Sequence, residues 1–165
     1  MISFWLLTED SWINDLIKKF ANEFKIPLFL PHITLISGLE ISEKDGVDFL
    51  QKLKKEFKPF NLKIIDIDFK KEIHKSFYLK TELNDNLLNL RLSIESNFKK
   101  NKFNNEFNPH ISLFYFNCGN NKKIKLKNEL IKKIPFVANF NKLGLIIESF
   151  PIKKPQDIKN WKLYL

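Results

Sequence analysis

The chain has 165 residues, enough for one domain or two small lobes sharing a core. Apolar residues make up 44% and include 17 Phe, which excludes a disordered chain, and no apolar run approaches the roughly 20 residues of a membrane-spanning helix. The formal net charge is +9, but Arg91 is the only arginine and the lysines are scattered, so the charge reads as compositional drift with a mild preference for anions.

Ile2–Thr8 is a short apolar run with aromatics and predicts a strand. The N-terminal "MISFWLLTED" lacks the basic start and long apolar run of a signal peptide, so the expectation is a cytoplasmic protein. Trp12, Ile13, Leu16, Ile17, Phe20, Ala21 and Phe24 recur at helical spacing, with Asp10 or Ser11 as cap. Pro27 and Pro31 bracket a loop, and His32–Leu39 reads as a strand. Ser42 to Asp45 resembles a capping box, followed by a helix with Val47, Leu50, Leu53 and Phe57 on one face.

Phe60–Lys70 predicts a long strand whose alternation slips between Ile64 and Ile65, the signature of a bulge. Ser76–Glu82 is the next strand. Asn84 to Asn86 cap a helix facing Leu87, Leu90, Ile94 and Phe98 inward. Arg91 falls within it and is expected at the surface. A polar loop over 99–108 leads to a strand at His110–Phe116, a weak helix at Lys125–Ile134, and strands at Pro135–Phe140, Leu143–Phe150 and Trp161–Leu165. No linker composition divides the chain, so residues 1–165 are expected to form a single domain. This order of elements suits an α+β fold with antiparallel sheets.

Two five-residue stretches nearly coincide: "PHITL" at 31–35 and "PHISL" at 109–113. The chain has three histidines, and two of them occupy this frame. Alternate residues of a strand share a face, so His32 projects with Thr34 and His110 with Ser112, while Ile33, Leu35, Ile111 and Leu113 turn to the core. Two imidazoles and two hydroxyls around one cleft can cleave a phosphodiester without metal. One neutral imidazole takes a proton from water, an imidazolium gives one to the leaving oxygen, and the hydroxyls donate to the phosphate. Two histidines without carboxylates at ligand spacing make a poor metal site, and the single Cys118 has neither a disulfide partner nor zinc-ligand neighbours. His74, in the charged connection "KKEIHKS", reads as a solvated loop residue.

The paired H-x-[ST] motif resembles the two-histidine (2H) phosphoesterase superfamily. "SFWLL" at 3–7, "LFLPHITL" at 28–35, "SFYLKTE" at 76–82 and "NPHISLFY" at 108–115 are similar to its cyclic phosphodiesterase branch, as is the C-terminal strand with Trp161. The resemblance implies a bilobal, duplicated fold of two antiparallel sheets flanked by helices, with a central cleft. It also implies metal-independent, cofactor-free hydrolysis of a 2′,3′-cyclic nucleotide, or of ADP-ribose 1″,2″-cyclic phosphate, to a 2′-phosphomonoester.

Carried over by motif position, His32 is the acid, His110 the base, and Thr34 and Ser112 the phosphate binders. The resemblance also points to Tyr115 and Trp5 as rings that stack on the nucleoside. Strand parity turns Tyr115 away from Ser112 unless the strand ends at Phe114. The expected partner is a small cyclic-phosphate nucleotide, with RNA 3′ ends as the alternative, no membrane, and a monomeric chain. Two competing readings are an RNA-end or oligonucleotide enzyme of the same class and a non-catalytic nucleotide- or RNA-binding member.

Overall fold

The first strand decides the layering. In the computed structural model, which describes residues 1–101, 103, 106–147 and 153–165, β1 (Ile2–Thr8) is buried at every position. Phe4 and Leu6 enter the main core, whereas Trp5 and Leu7 enter a second apolar cluster with Ile146. A strand with two apolar faces sits between two layers. Accordingly β1 pairs on both edges, with β2 (His32–Leu39) and with β6 (Val137–Ile147).

Every ladder is antiparallel. β1, β2 and part of β6, edged by β7 (Lys162–Tyr164), make one half. β3 (Phe60–Asp68), β4 (Phe77–Thr81) and β5 (His110–Phe114) make the other. β6 runs through both, pairing with β3 over 137–140 and with β1 over 140–147. On the far side a single bridge, Ile33 to Ile111, joins β2 to β5. The fold is the expected α+β arrangement of antiparallel strands flanked by helices, with the two halves joined at both borders into one seven-stranded sheet.

The helices exchange halves. α1 (Ser11–Phe24) follows β1 but packs on β5, while α3 (Asp85–Asn97) follows β4 but packs on β2. α2 (Glu43–Glu56) lies on β6. Beneath α1, Phe20 meets Phe77 and Phe114 edge-on, and those two stack with centroids 5.1 Å apart. Each fully buried ring stabilises by about 1.5–3 kcal/mol of transfer free energy. Gly46 lets α2 close on the sheet, since a Cβ there would lie 2.8 Å from Leu145 Cδ1.

The predicted bulge is present: the β3–β4 register shifts between Ile64 and Asp66, and burial passes from Leu62 and Ile64 to Ile67. Ser42 and Asn84 cap α2 and α3, accepting from the amides of Asp45 and Leu87. Asp10 precedes α1 without capping it, because its carboxylate accepts the Asn139 amide at 2.9 Å.

Three expectations are corrected. The strands predicted at Pro135–Phe140 and Leu143–Phe150 are one strand, β6, in which the polar Asn141–Lys142 pair marks a register shift rather than a break. The predicted positions 148–150 lie outside the described residues. α4 spans Asn120–Leu130, earlier than predicted, because its first inward position is Lys123. That ammonium donates to the Lys70 carbonyl at 3.0 Å inside the protein. Arg91 is buried rather than exposed. Its guanidinium donates to the Leu35 carbonyl of β2 at 3.1 Å and to Glu95 at 2.8 Å, and lies 4.5 Å from the Phe107 ring centroid.

Candidate active site

The single β2–β5 bridge sets the geometry of the repeated motif. With Ile33 opposite Ile111, one step along each strand brings His32 towards Ser112 and Thr34 towards His110. The bridging isoleucines are fully buried in the core. The four polar residues therefore share the opposite face, with the histidines on one diagonal. Diagonal neighbours across an antiparallel pair stand about 7–8 Å apart, room for a phosphate between two rings.

Both imidazoles are held the same way. His32 Nδ1 donates to the Leu30 carbonyl at 2.6 Å, and His110 Nδ1 donates to the Asn108 carbonyl at 2.9 Å. In each case the acceptor lies two residues back, so the proline between them fixes the turn that supplies it. With Nδ1–H committed to a carbonyl, Nε2 carries the free lone pair. The halves match in one more bond: the amides of Thr8 and Thr81 donate to the carbonyls of Pro31 and Pro109, both at 3.2 Å.

The surroundings differ. Trp5 lies flat on His32, with centroids 3.4 Å apart and planes 5° apart. Phe29 and Trp161 meet the same imidazole edge-on at 6.2 and 6.4 Å. Burial in this aromatic nest is the main reason the His32 pKa falls to about 3, opposed by the Leu30 carbonyl and assisted by charge on His110. His110 is half-buried beside Tyr78, whose centroid is 4.9 Å away. Its pKa is also lowered, first by burial and then by the electrostatic influence of Lys75, His74 and Lys70, against the Asn108 carbonyl. Tyr78 donates to Asp68 at 3.3 Å, and burial followed by that carboxylate's charge holds its phenol up at about 12.

Thr34 is half-buried and Ser112 buried. The Ser112 hydroxyl donates to the His74 carbonyl at 3.2 Å. His74 itself is exposed as expected, with its ring 3.4 Å from Glu72, but its backbone reaches the motif. β5 ends at Phe114, which frees Tyr115 from strand parity. Tyr115 turns towards Phe29 at 4.6 Å and Trp161 at 6.1 Å, the rings that flank His32. Trp5 and Tyr115 are thus both in the His32 half. Of two surface cavities, one of about 240 Å³ beside α1 shares Phe29 with the His32 surroundings, and one of about 350 Å³ lies elsewhere, between α2 and α3 at Phe49 and Phe98. Among the described residues, no group of three or more His, Cys, Asp or Glu could hold a metal ion, and no helix is long and apolar enough to cross a membrane.

Tyr78 and Lys80 escaped the sequence reading, although a signal for them exists. "SFWLLTE" at 3–9 and "SFYLKTE" at 76–82 form a second internal repeat, as long as the first is short. In the ladders Trp5 stands opposite Thr34 and Leu7 opposite His32, as Tyr78 stands opposite Ser112 and Lys80 opposite His110.

The profile of the family described as cyclic phosphodiesterase-like protein matches residues 2–134. A Bacillus licheniformis protein carrying the name "putative phosphoesterase" is 32% identical over 89 residues, 52% of this chain and 53% of that protein, so the match spans about half the length of that relative. Crystal structures of E. coli LigT, in apo form and complexed with 3′-AMP, share the fold. Their TM-scores are 0.59 and 0.56 at 16% and 15% identity, each covering 99% of this chain and 92% of the LigT chain.

Proposed function

The chain belongs to the cyclic phosphodiesterase-like protein family of two-histidine phosphoesterases, and from that premise we propose that it hydrolyses a 2′,3′-cyclic nucleotide phosphate to a 2′-phosphomonoester. The observation that carries this reading is the matched pair of imidazoles, each anchored through Nδ1 to the carbonyl two residues back and each with a hydroxyl across the β2–β5 bridge. The fold shared with LigT, which was crystallised with 3′-AMP, supports a nucleotide-sized ligand.

In the proposed mechanism the phosphate lies between the two Nε2 atoms. His110, kept neutral by burial and by its cationic neighbours, takes a proton from the attacking water. His32 delivers a proton to the departing ribose oxygen. Empty, His32 is the harder ring to protonate. The substrate phosphate brings a negative charge beside both rings and raises both values, and the stacked Trp5 face favours the His32 imidazolium. Thr34 and Ser112 donate to the non-bridging oxygens, Ser112 after releasing the His74 carbonyl. Tyr115, with Phe29 and Trp161, lines the wall on which the nucleoside rests, and Trp5 meets the substrate through the imidazole it backs.

The pH dependence follows from the directions of the two shifts. Productive enzyme carries one proton on the pair, and that form peaks between the two pKa values. Both free-enzyme values lie below the ordinary 6.5. The kcat/KM profile is therefore expected to be bell-shaped, to peak below pH 6.5 and to fall as pH rises further. The bound anion raises both values, so the kcat optimum is expected at higher pH than that of kcat/KM. Steady-state rates from pH 4 to 9 read both, and a kcat/KM maximum above pH 7.5 would sink this account.

The deciding experiment is turnover of 2′,3′-cyclic AMP in parallel with an RNA ending in a 2′,3′-cyclic phosphate, each with and without excess EDTA. Both proton transfers have side-chain carriers, so rates are expected to survive chelation. Loss of activity restored by a divalent ion would reject the two-histidine mechanism. Turnover of the RNA alone would move the assignment to an RNA-end enzyme, the reading favoured by Lys70, Lys75 and His74 beside His110. Binding without turnover of either would leave a nucleotide-binding protein.

A further inference from the structure

The longer internal repeat differs at two positions, and both face the histidines. "SFWLLTE" and "SFYLKTE" share the core-facing Phe and Leu and diverge at Trp5 against Tyr78 and at Leu7 against Lys80. In the first half Leu7 stands opposite His32 within an apolar cluster of Trp5, Ile146, Trp161 and Leu163. In the second half Lys80 occupies the same place opposite His110. The two sides of the motif face therefore have opposite character.

Lys80 is half-buried, and its ammonium makes no hydrogen bond or ion pair with any described residue. The nearby carboxylates are committed elsewhere. Asp66, opposite Lys80 on β3, is paired with Lys127 at 3.0 Å. Asp68 accepts from Tyr78. With those carboxylates engaged, the Lys80 ammonium is left for an arriving anion to pair with. Directly opposite side chains in an antiparallel ladder start about 4.5–5.5 Å apart at Cβ, so a lysine on its flexible stem reaches what the neighbouring imidazole touches.

We propose that Lys80 is a substrate-binding residue whose ammonium holds the non-bridging oxygens of the substrate phosphate beside His110. The anion then rests against the second half and the nucleoside against the aromatic first half. This rests on the reading that the motif face takes a cyclic phosphate, and it assigns to one lysine a task that its counterpart Leu7 cannot perform.

The test measures binding of 2′-AMP, inorganic phosphate and adenosine to wild type and to Lys80→Met, Lys80→Gln and Lys80→Arg, followed by tryptophan fluorescence. Lys52→Met, on an exposed position of α2, controls for net charge. Thermal unfolding confirms that each variant folds, and the methionine and glutamine variants substitute for each other if one does not. Removing the charge is expected to raise the Kd of 2′-AMP and of phosphate about tenfold or more, the weight of one charge-assisted bond. The arginine variant and Lys52→Met should stay within a few-fold of wild type, and adenosine binding should not change. KM for 2′,3′-cyclic AMP should rise with the Kd. Unchanged 2′-AMP binding in both neutral variants, equal weakening of adenosine, or no phosphate binding by wild type would overturn the assignment. If wild type binds 2′-AMP in a Lys80-dependent way yet hydrolyses no cyclic phosphate, the anion site stands and the proposed activity falls.

Discussion

Replacing His32 or His110 by alanine is expected to lower turnover of a 2′,3′-cyclic nucleotide by roughly 10² to 10⁴, the worth of a positioned general acid or base. Each ring has its Nδ1 tied to a backbone carbonyl, so Nε2 is the nitrogen left for proton transfer and is lost with the ring. Removing His32 also leaves a hole against the flat face of Trp5. His32→Gln fills that space without restoring a titrating nitrogen and should be as slow as alanine. His74→Ala should stay within a few-fold of wild type. Its ring is exposed and its contact with Ser112 runs through the carbonyl, which alanine retains. Single-turnover rates with circular dichroism on each variant make the comparison. A His74 effect matching the other two would show that the reacting phosphate lies nearer the Ile73–Lys75 turn than the β2–β5 bridge.

Much of the fold was legible where side chains obey the period of their element. β1 and β2 carry apolar residues up to boundaries set by turn chemistry, and their predicted and observed limits coincide. The β3 bulge announced itself as a change of parity. Legibility failed where a polar group does an apolar position's work. Lys123 and Arg91 point inward because each finds a backbone carbonyl, and periodicity cannot see that bond in advance. β6 looked interrupted because Asn141 and Lys142 fall where the strand passes from one partner to the next.

The motif itself was legible because its short duplication stands out in a histidine-poor chain. Its second layer was not, because Trp5 against Tyr78 and Leu7 against Lys80 differ in the very side chains that face the site. A comparison by chemistry alone passes over such pairs, whereas register reveals them. The asymmetry they create bears on the outcome of the reaction.

Hydrolysis is expected to give a single product, the 2′-phosphate. Displacement at phosphorus runs in line, with the attacking water opposite the leaving oxygen. The histidines stand on a diagonal of adjacent strands, so each Nε2 serves only one end of that line. Which ribose oxygen meets which imidazole depends on how the nucleoside lies. An aromatic wall of Phe29, Tyr115 and Trp161 on the His32 side, against a basic side at Lys80, Lys70 and Lys75, gives one orientation an advantage. In that orientation the base would rest by His32, the anion would lean to His110, and the acid would meet O3′. A difference of about 2.8 kcal/mol between the two orientations gives a hundredfold preference, within the reach of one stacked ring and one charge-assisted bond. Phosphorus NMR or chromatography separates the 2′- and 3′-monoesters. A clean 3′-phosphate would place the nucleoside the other way round, with His110 as the acid. A mixture would mean that neither ring nor lysine pins the sugar, and Tyr115→Ala should then leave the product ratio unchanged.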